Sequence, residues 1–138
     1  MEENDLCEAL QRLINQRTAG TGVQAVFNVR GQQPELPPEW EDNLLRIGQE
    51  VLTNVLRHAQ AGKFKAGITF DTAELRLNLS DNGKGFDPGG RHQGFGLQGI
   101  KERVKAMGGQ LSIQSAKGEG TAVSIVLPMA NINNSVAL

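Results

Sequence analysis

The 138-residue chain is 38% hydrophobic and 21% charged, with a net charge of −1, which fits one packed domain and excludes wholesale disorder. No basic surplus points to nucleic acid, no run of about 18 apolar residues points to a membrane span, and the start, Met1-Glu2-Glu3-Asn4-Asp5, is acidic where a signal peptide would be basic. Cys7 is the single cysteine, so neither an internal disulfide nor a cysteine-cluster metal site is expected, and the setting reads as cytoplasmic.

Asp5 to about Arg17 carries Leu6, Leu10, Leu13 and Ile14 at helical spacing. Thr18-Ala19-Gly20-Thr21-Gly22 ends that helix, and Val23 to Val29 reads as a strand with alternating apolar positions. After a turn-rich connection, Pro37-Pro38 followed by Glu39, Glu41 and Asp42 predicts a helix start. Leu44, Ile47, Val51, Leu52, Val55 and Ala59 form its apolar stripe, and Gly62 is expected to close it.

Lys63 to Phe70 and Glu74 to Ser80 predict a hairpin around Asp71-Thr72, with Leu75, Leu77 and Leu79 on one side of the second strand. Leu97 to Met107 reads as a short helix stopped by Gly108-Gly109, and Leu111 to Ser115 with Thr121 to Leu127 as a last hairpin. The sum is α+β: a mixed or antiparallel, mostly hairpin-built sheet of about five strands with three helices on one face.

Glycines number 17, and Gly83, Gly85, Gly89, Gly90, Gly94, Gly96 and Gly99 crowd one stretch. Glycine weakens packed elements but permits positive φ and close approach, so a long working loop inside the domain is expected, with a bland linker as the alternative.

Four stretches carry chemistry. Glu50, Asn54 and His58 recur every four residues and share one helical face. Magnesium takes few protein oxygens and keeps water and phosphate as its other ligands; Asn54 offers a neutral oxygen, and Glu50 suits a general base. A solvated polar face is the alternative. Asp81 ends the Leu75-Leu77-Leu79 strand, where a carboxylate accepts from the exocyclic amine of adenine but opposes the carbonyl of guanine. Gly83 and Gly85 let the backbone turn beneath a flat base; a two-residue hairpin turn at Asn82-Gly83 competes with this reading.

Gly94-x-Gly96-x-x-Gly99 has dinucleotide-motif spacing, but loop residues 87–93 precede it where that motif needs a strand. What remains is a glycine-rich helix start able to bind phosphate. Gly118-Glu119-Gly120-Thr121 is either a plain turn or the source of a pocket hydroxyl, Thr121. Arg57, His58 and Lys63 lie where cations meet phosphate or are surface groups; Lys101 and Arg103 read as a solvated face. In this order the stretches describe a pocket for ATP and a divalent metal.

Together they resemble the nucleotide-binding boxes of the ATPase superfamily that groups gyrase, heat-shock chaperones, histidine kinases and MutL. Glu50-Val51-Leu52-Thr53-Asn54-Val55-Leu56-Arg57-His58 and Gly94-Phe95-Gly96-Leu97-Gln98-Gly99 resemble the catalytic domain of bacterial two-component sensor histidine kinases, in the subgroup of nitrate and membrane-fluidity sensors. That resemblance implies the Bergerat ATP-binding fold, a two-layer α/β sandwich. It implies Asn54 as magnesium ligand, Glu50 as activating base and Asp81 as reader of the adenine amine. Gly83 and Gly85 shape the adenine pocket, with Thr121 near the base. Residues 87–96 form an ATP lid, and Gly94, Gly96, Leu97 and Gly99 contact phosphate or hinge it.

The implied reaction moves the γ-phosphoryl group of ATP to a histidine on a separate dimerisation domain, for relay to a response regulator. Neither His58 nor His92 sits in such a helix, so the expected organisation is a helix over 1–19, possibly the end of a missing dimerisation domain, an ATP-binding catalytic domain over 20–128 and a flexible tail over 129–138. A free-standing anti-sigma-factor serine kinase and a non-enzymatic nucleotide-binding module are the rival readings.

Overall fold

The computed structural model describes residues 5–85 and 97–130, apart from the side chains of residues 58 and 59. Helix α1 (Leu6–Thr18) starts where the Asp5 carboxylate accepts the Cys7 N–H at 2.7 Å, satisfying one of the free donors of a first turn. Strand β1 (Gln24–Arg30) follows, then helix α2 (Pro38–Asn54), which carries Pro38 and two acids in its first turn as the sequence predicts. Strands β2 (Lys63–Phe70) and β3 (Glu74–Asp81), helix α3 (Leu97–Ala106), and strands β4 (Gln110–Ser115) and β5 (Thr121–Pro128) complete the chain.

The sheet runs in the order β1-β2-β3-β5-β4. Only β1–β2 is parallel; the other pairs are antiparallel. The mixed, mostly antiparallel five-stranded sheet with three helices is thus present as expected. Strand alternation sets its sidedness. Ile68, Leu77 and Ile125 are paired across β2, β3 and β5, and all three are buried. They join Trp40, Leu44, Ile47 and Leu52 of α2 and Ile100 and Val104 of α3 in one core, each such side chain contributing roughly 1.5–3 kcal/mol. Asn78 and Ser124, one residue out of phase, face solvent and bond each other at 2.8 Å.

Helix α1 belongs to the same core through Leu6, Leu10 and Ile14. Gly48 lets it approach α2: a Cβ there would stand 3.3 Å from Leu10 Cδ2. At the other end, Met129 N–H donates to Ala73 O at 2.9 Å, so order extends into the first residue of the expected tail; residues 131–138 lie outside the described part.

The end of α2 departs from expectation. Regular bonding stops at Asn54, and Val55–Ala59 form a π-helical turn. Gln60, at φ 52°, makes the left-handed reversal assigned to Gly62. Gly62 instead donates its N–H to Asn82 Oδ1 at 3.0 Å. The i, i+4 stacking that aligns Glu50 with Asn54 belongs to the α-helix, so it does not carry on by the same geometry to His58, whose side chain lies outside the described residues. Single π turns recur where helices carry function.

Candidate active site

Sheet register brings two of the stretches together at one end. Asp81, the last residue of β3, is paired with Phe64 on β2 and Thr121 on β5, and Thr121 with Ser115 on β4. Asn82 Oδ1 accepts from Gly62 N–H and from Lys63 N–H at 2.8 Å, tying the segment after β3 to the segment leaving α2. The hairpin-turn alternative at Asn82-Gly83 therefore falls: β3 pairs with β2 before it and β5 after it, and residues 82–85 form a separate loop.

That loop interlocks with the β4–β5 turn. Gly118 N–H donates to Lys84 O. Gly85 has φ 66°, and a Cβ on it would lie 2.1 Å from Ala116 O; Gly120 has φ 77°, and a Cβ there would lie 2.1 Å from Asp81 O. Only glycine permits both the left-handed backbone and the contact. Ser115 Oγ donates to Gly120 O at 3.0 Å and lies 2.8 Å from Thr121 Oγ1. A hydroxyl has one proton, so with that bond formed Thr121 is the donor between them.

Asp81 is half-buried, and Gly83 N–H donates to its Oδ1 at 2.7 Å. Burial pushes its carboxyl above the ordinary 3.8, while bonds from the backbone of Gly83 and Thr121 pull it back. A carboxylate acceptor fixed by backbone donors is what recognition of an amine requires.

The helical side is built from side chains. Glu50 Oε2 stands 3.8 Å from Arg103 Nε, and Arg103 Nη1 donates to Asn43 Oδ1 at 3.0 Å. Glu50 Oε1 is buried with no hydrogen-bond partner among the described residues. Gly99 sits over it, since a Cβ there would stand 3.2 Å from Oε1. One turn on, Asn54 is half-buried beside Thr53, whose hydroxyl accepts from Arg17 at 2.9 Å and donates to Gln49 O. Cys7 plays no visible part: burial and the nearby Asp5 carboxylate push its thiol up to about 11, so it stays protonated and unreactive at neutral pH.

The family described as histidine kinase-, DNA gyrase B-, and HSP90-like ATPase matches residues 40–131. This chain belongs to that ATPase family. Among its curated relatives, the sensor histidine kinase YxjM of Bacillus subtilis is 34% identical over 126 residues, covering 91% of this chain and 30% of the relative. The histidine-protein kinase/phosphatase UhpB of Salmonella typhimurium is 33% identical over 129 residues, covering 93% of this chain and 25% of the relative. The chain thus spans less than a third of the length of either. The histidine kinase domain of the Erythrobacter litoralis EL346 blue-light activated kinase superposes with a TM-score of 0.69 at 23% identity, covering 96% of this chain and 64% of that one. The histidine kinase AdeS of Acinetobacter baumannii gives 0.71 at 16% identity, covering 90% and 63%. At those identities the likeness speaks for the fold.

Within this ATPase domain the expected site residues divide. Asp81, Gly83, Gly85 and Thr121 come together at the sheet end, and Glu50, Leu97 and Gly99 where α3 meets α2. Arg57 is exposed on the π turn. Gly94, Gly96 and the rest of the expected lid, residues 87–96, lie outside the described residues. Arg103 corrects the sequence reading: it does not share a solvated face with exposed Lys101 but is half-buried against Glu50. Its signal was the four-residue step from Gly99, which sets both on one face of α3, opposite the seven-residue step from Asn43 to Glu50 on α2.

Proposed function

We propose that this chain is the ATP-binding catalytic domain of a sensor histidine kinase of the nitrate- and membrane-fluidity-sensor subgroup, working in the cytoplasm. It transfers the γ-phosphoryl group of ATP to a histidine on a separate dimerisation domain, from which a response regulator takes it. Residues 20–128 are the nucleotide-binding unit, with α1 packed against it. The greater length of the relatives supports an acceptor on another domain of the parent protein. The observation that carries the reading is the half-buried Asp81 carboxylate, held by the Gly83 N–H at the end of β3 and paired in register with Thr121; Glu50 and Asn54, four residues apart on α2, support it.

Each part of the site has a task in this reading. Asp81 accepts from the adenine amine, with Gly83 and Gly85 beneath the base and Thr121 beside it. Glu50 takes the proton of the attacking histidine. Gly94, Gly96, Leu97 and Gly99 serve the phosphates, with Arg57 and His58 as nearby cations. Asn54 would hold magnesium, which would supply charge neutralisation for the phosphates. The donor chemistry fits that ion, since magnesium bound with nucleotide asks for one or two protein oxygens and the Asn54 side chain offers one.

The test combines calorimetry with ATP and GTP, with and without magnesium, and labelled ATP supplied with the parent's dimerisation domain. The expected outcome is magnesium-dependent binding that prefers ATP, followed by label on the acceptor histidine. Asn54→Ala should abolish the magnesium dependence far more than His92→Ala. Equal affinity for the two nucleotides would remove the role of Asp81, and equal losses in the two variants the role of Asn54.

A further inference from the structure

We propose that Arg103 is the positioning residue for Glu50, setting the orientation of its carboxylate between α2 and α3; this rests on the reading of Glu50 as the base. Arg103 reaches from α3 across to α2 and engages it at two points two turns apart. Its Nη1 is anchored on Asn43 Oδ1 at 3.0 Å, and its Nε faces Glu50 Oε2 at 3.8 Å. The guanidinium is rigid and planar, so the bond to Asn43 sets where its remaining N–H groups lie. Gly99, one turn earlier on the same face of α3, bounds the carboxylate on the Oε1 side. A single helix thus borders both oxygens of Glu50.

The contact is poorly arranged for a structural clamp. Glu50 Oε1 and Arg103 Nε are both buried without a hydrogen-bond partner among the described residues, and buried polar atoms left unpaired are a net cost. A partly buried ion pair is in any case weak evidence for stability. What the arrangement does supply is a carboxylate whose orientation is bounded by the Arg103 charge on the Oε2 side and by Gly99 on the Oε1 side, one helical turn from Asn54. Such restraint is what an oriented proton acceptor needs, because its efficiency depends on geometry before basicity. Lysine could restore the charge but could not bridge Asn43 and Glu50 through a fixed fork.

The experiment measures γ-phosphoryl transfer from magnesium-ATP to the parent's dimerisation domain by this chain and its variants, with ATP affinity and thermal unfolding alongside. Arg103→Ala should lower kcat roughly tenfold, a share of the 10²–10⁴ that a positioned base supplies, and leave KM for ATP within about twofold. Arg103→Lys, which keeps the charge without the fork, should recover only a small part of that loss. Asn43→Ala, which frees the far end of the guanidinium without touching Glu50, should lower kcat by a smaller factor in the same direction. In a Glu50→Gln background, Arg103→Ala should add no further loss, because a residue acting through Glu50 has nothing left to act on.

An undiminished kcat, a raised KM at constant kcat, or an equal loss in the Glu50→Gln background overturns the proposal. Should Arg103→Ala fail to fold, Arg103→Lys and Asn43→Ala decide it by the same split between kcat and KM. A wild-type chain that binds no ATP removes the functional reading and this inference together. A wild-type chain that transfers normally while the Arg103 variants match it removes this inference alone.

Discussion

At the strand end of the site, Asp81 is held by backbone: Gly83 N–H donates to its Oδ1, Thr121 N–H donates to the same carboxyl, and Gly120 stands where no side chain fits. At the helical end, Glu50 is held by another side chain at 3.8 Å and keeps a buried oxygen with no hydrogen bond among the described residues. The Gly83 donor sits in a loop interlocked with the β4–β5 turn and cannot be withdrawn without breaking those contacts. A side-chain pair with unmet bonds can adjust at small cost. The Asp81 end is therefore the more rigidly built of the two and the Glu50 end the more adjustable.

The strongest way to break the contrast is at the rigid end. Gly120→Ala puts a Cβ into Asp81 O with φ 77°, and should cost about 3 kcal/mol or more in chemical denaturation, with ATP binding lost alongside. Gly118→Ala is the control: φ is 80° but nothing lies within 4 Å, so only the backbone strain of about 1 kcal/mol should appear. Equal costs would mean that the interlocked loops are not tightly packed.

Asp81→Asn comes next, with an expected loss of ATP affinity of about tenfold and collapse of the preference over GTP. It also tests the direction of the Asp81 shift. The folded pKa lies above the ordinary 3.8, so the stability due to this group is full below that value and lost as pH rises through the folded one. Wild type should lose ground to Asp81→Asn across that window; a flat difference between the two melting curves would contradict it.

Smaller is Gly99→Ala, whose Cβ would press on Glu50 Oε1 from 3.2 Å. Stability should change little, while transfer falls about threefold because the carboxylate must rotate. The smallest effect belongs to the far end of the β2–β3 hairpin. There Asp71 accepts from Ala73 N–H and Glu74 N–H, both at 2.8 Å, and these bonds hold its carboxyl below the usual range. A depressed folded pKa gives stability present above the unfolded value and lost as pH falls. The slight advantage of wild type over Asp71→Asn in thermal melts should therefore vanish in acid, with nucleotide binding untouched.

Much of the architecture was legible because it rests on local periods. The alternation of Leu75, Leu77 and Leu79 and the stripe from Leu44 to Leu52 gave strand and helix faces that match the buried residues. The hairpin around Asp71-Thr72 was legible from the two strand-like runs that flank it. The break after Asn54 was not: Val55 and Ala59 continue the apolar stripe, and hydrophobic spacing does not report whether a backbone bond closes over four residues or five. Gly62, likewise, looked like a helix stop and is a hydrogen-bond donor to Asn82.

The site shows the same division. Asp81, Gly83, Gly85 and Thr121, singled out in the sequence as carboxylate, glycines and hydroxyl near strand ends, do come together in the structure. Arg103 could not be singled out in that way, because an arginine beside Lys101 on a short helix has the composition of a surface. The sequence by itself determined the elements, the sidedness of the sheet and the chemical kinds of the site residues, since these depend on neighbours within a few positions. Only the tertiary structure decided that Gly120 meets Asp81, that Gly85 meets Ala116 and that Arg103 meets Glu50. Those contacts join residues 31 to 53 positions apart, and at such separations strand register and helix docking, not local pattern, choose the partner.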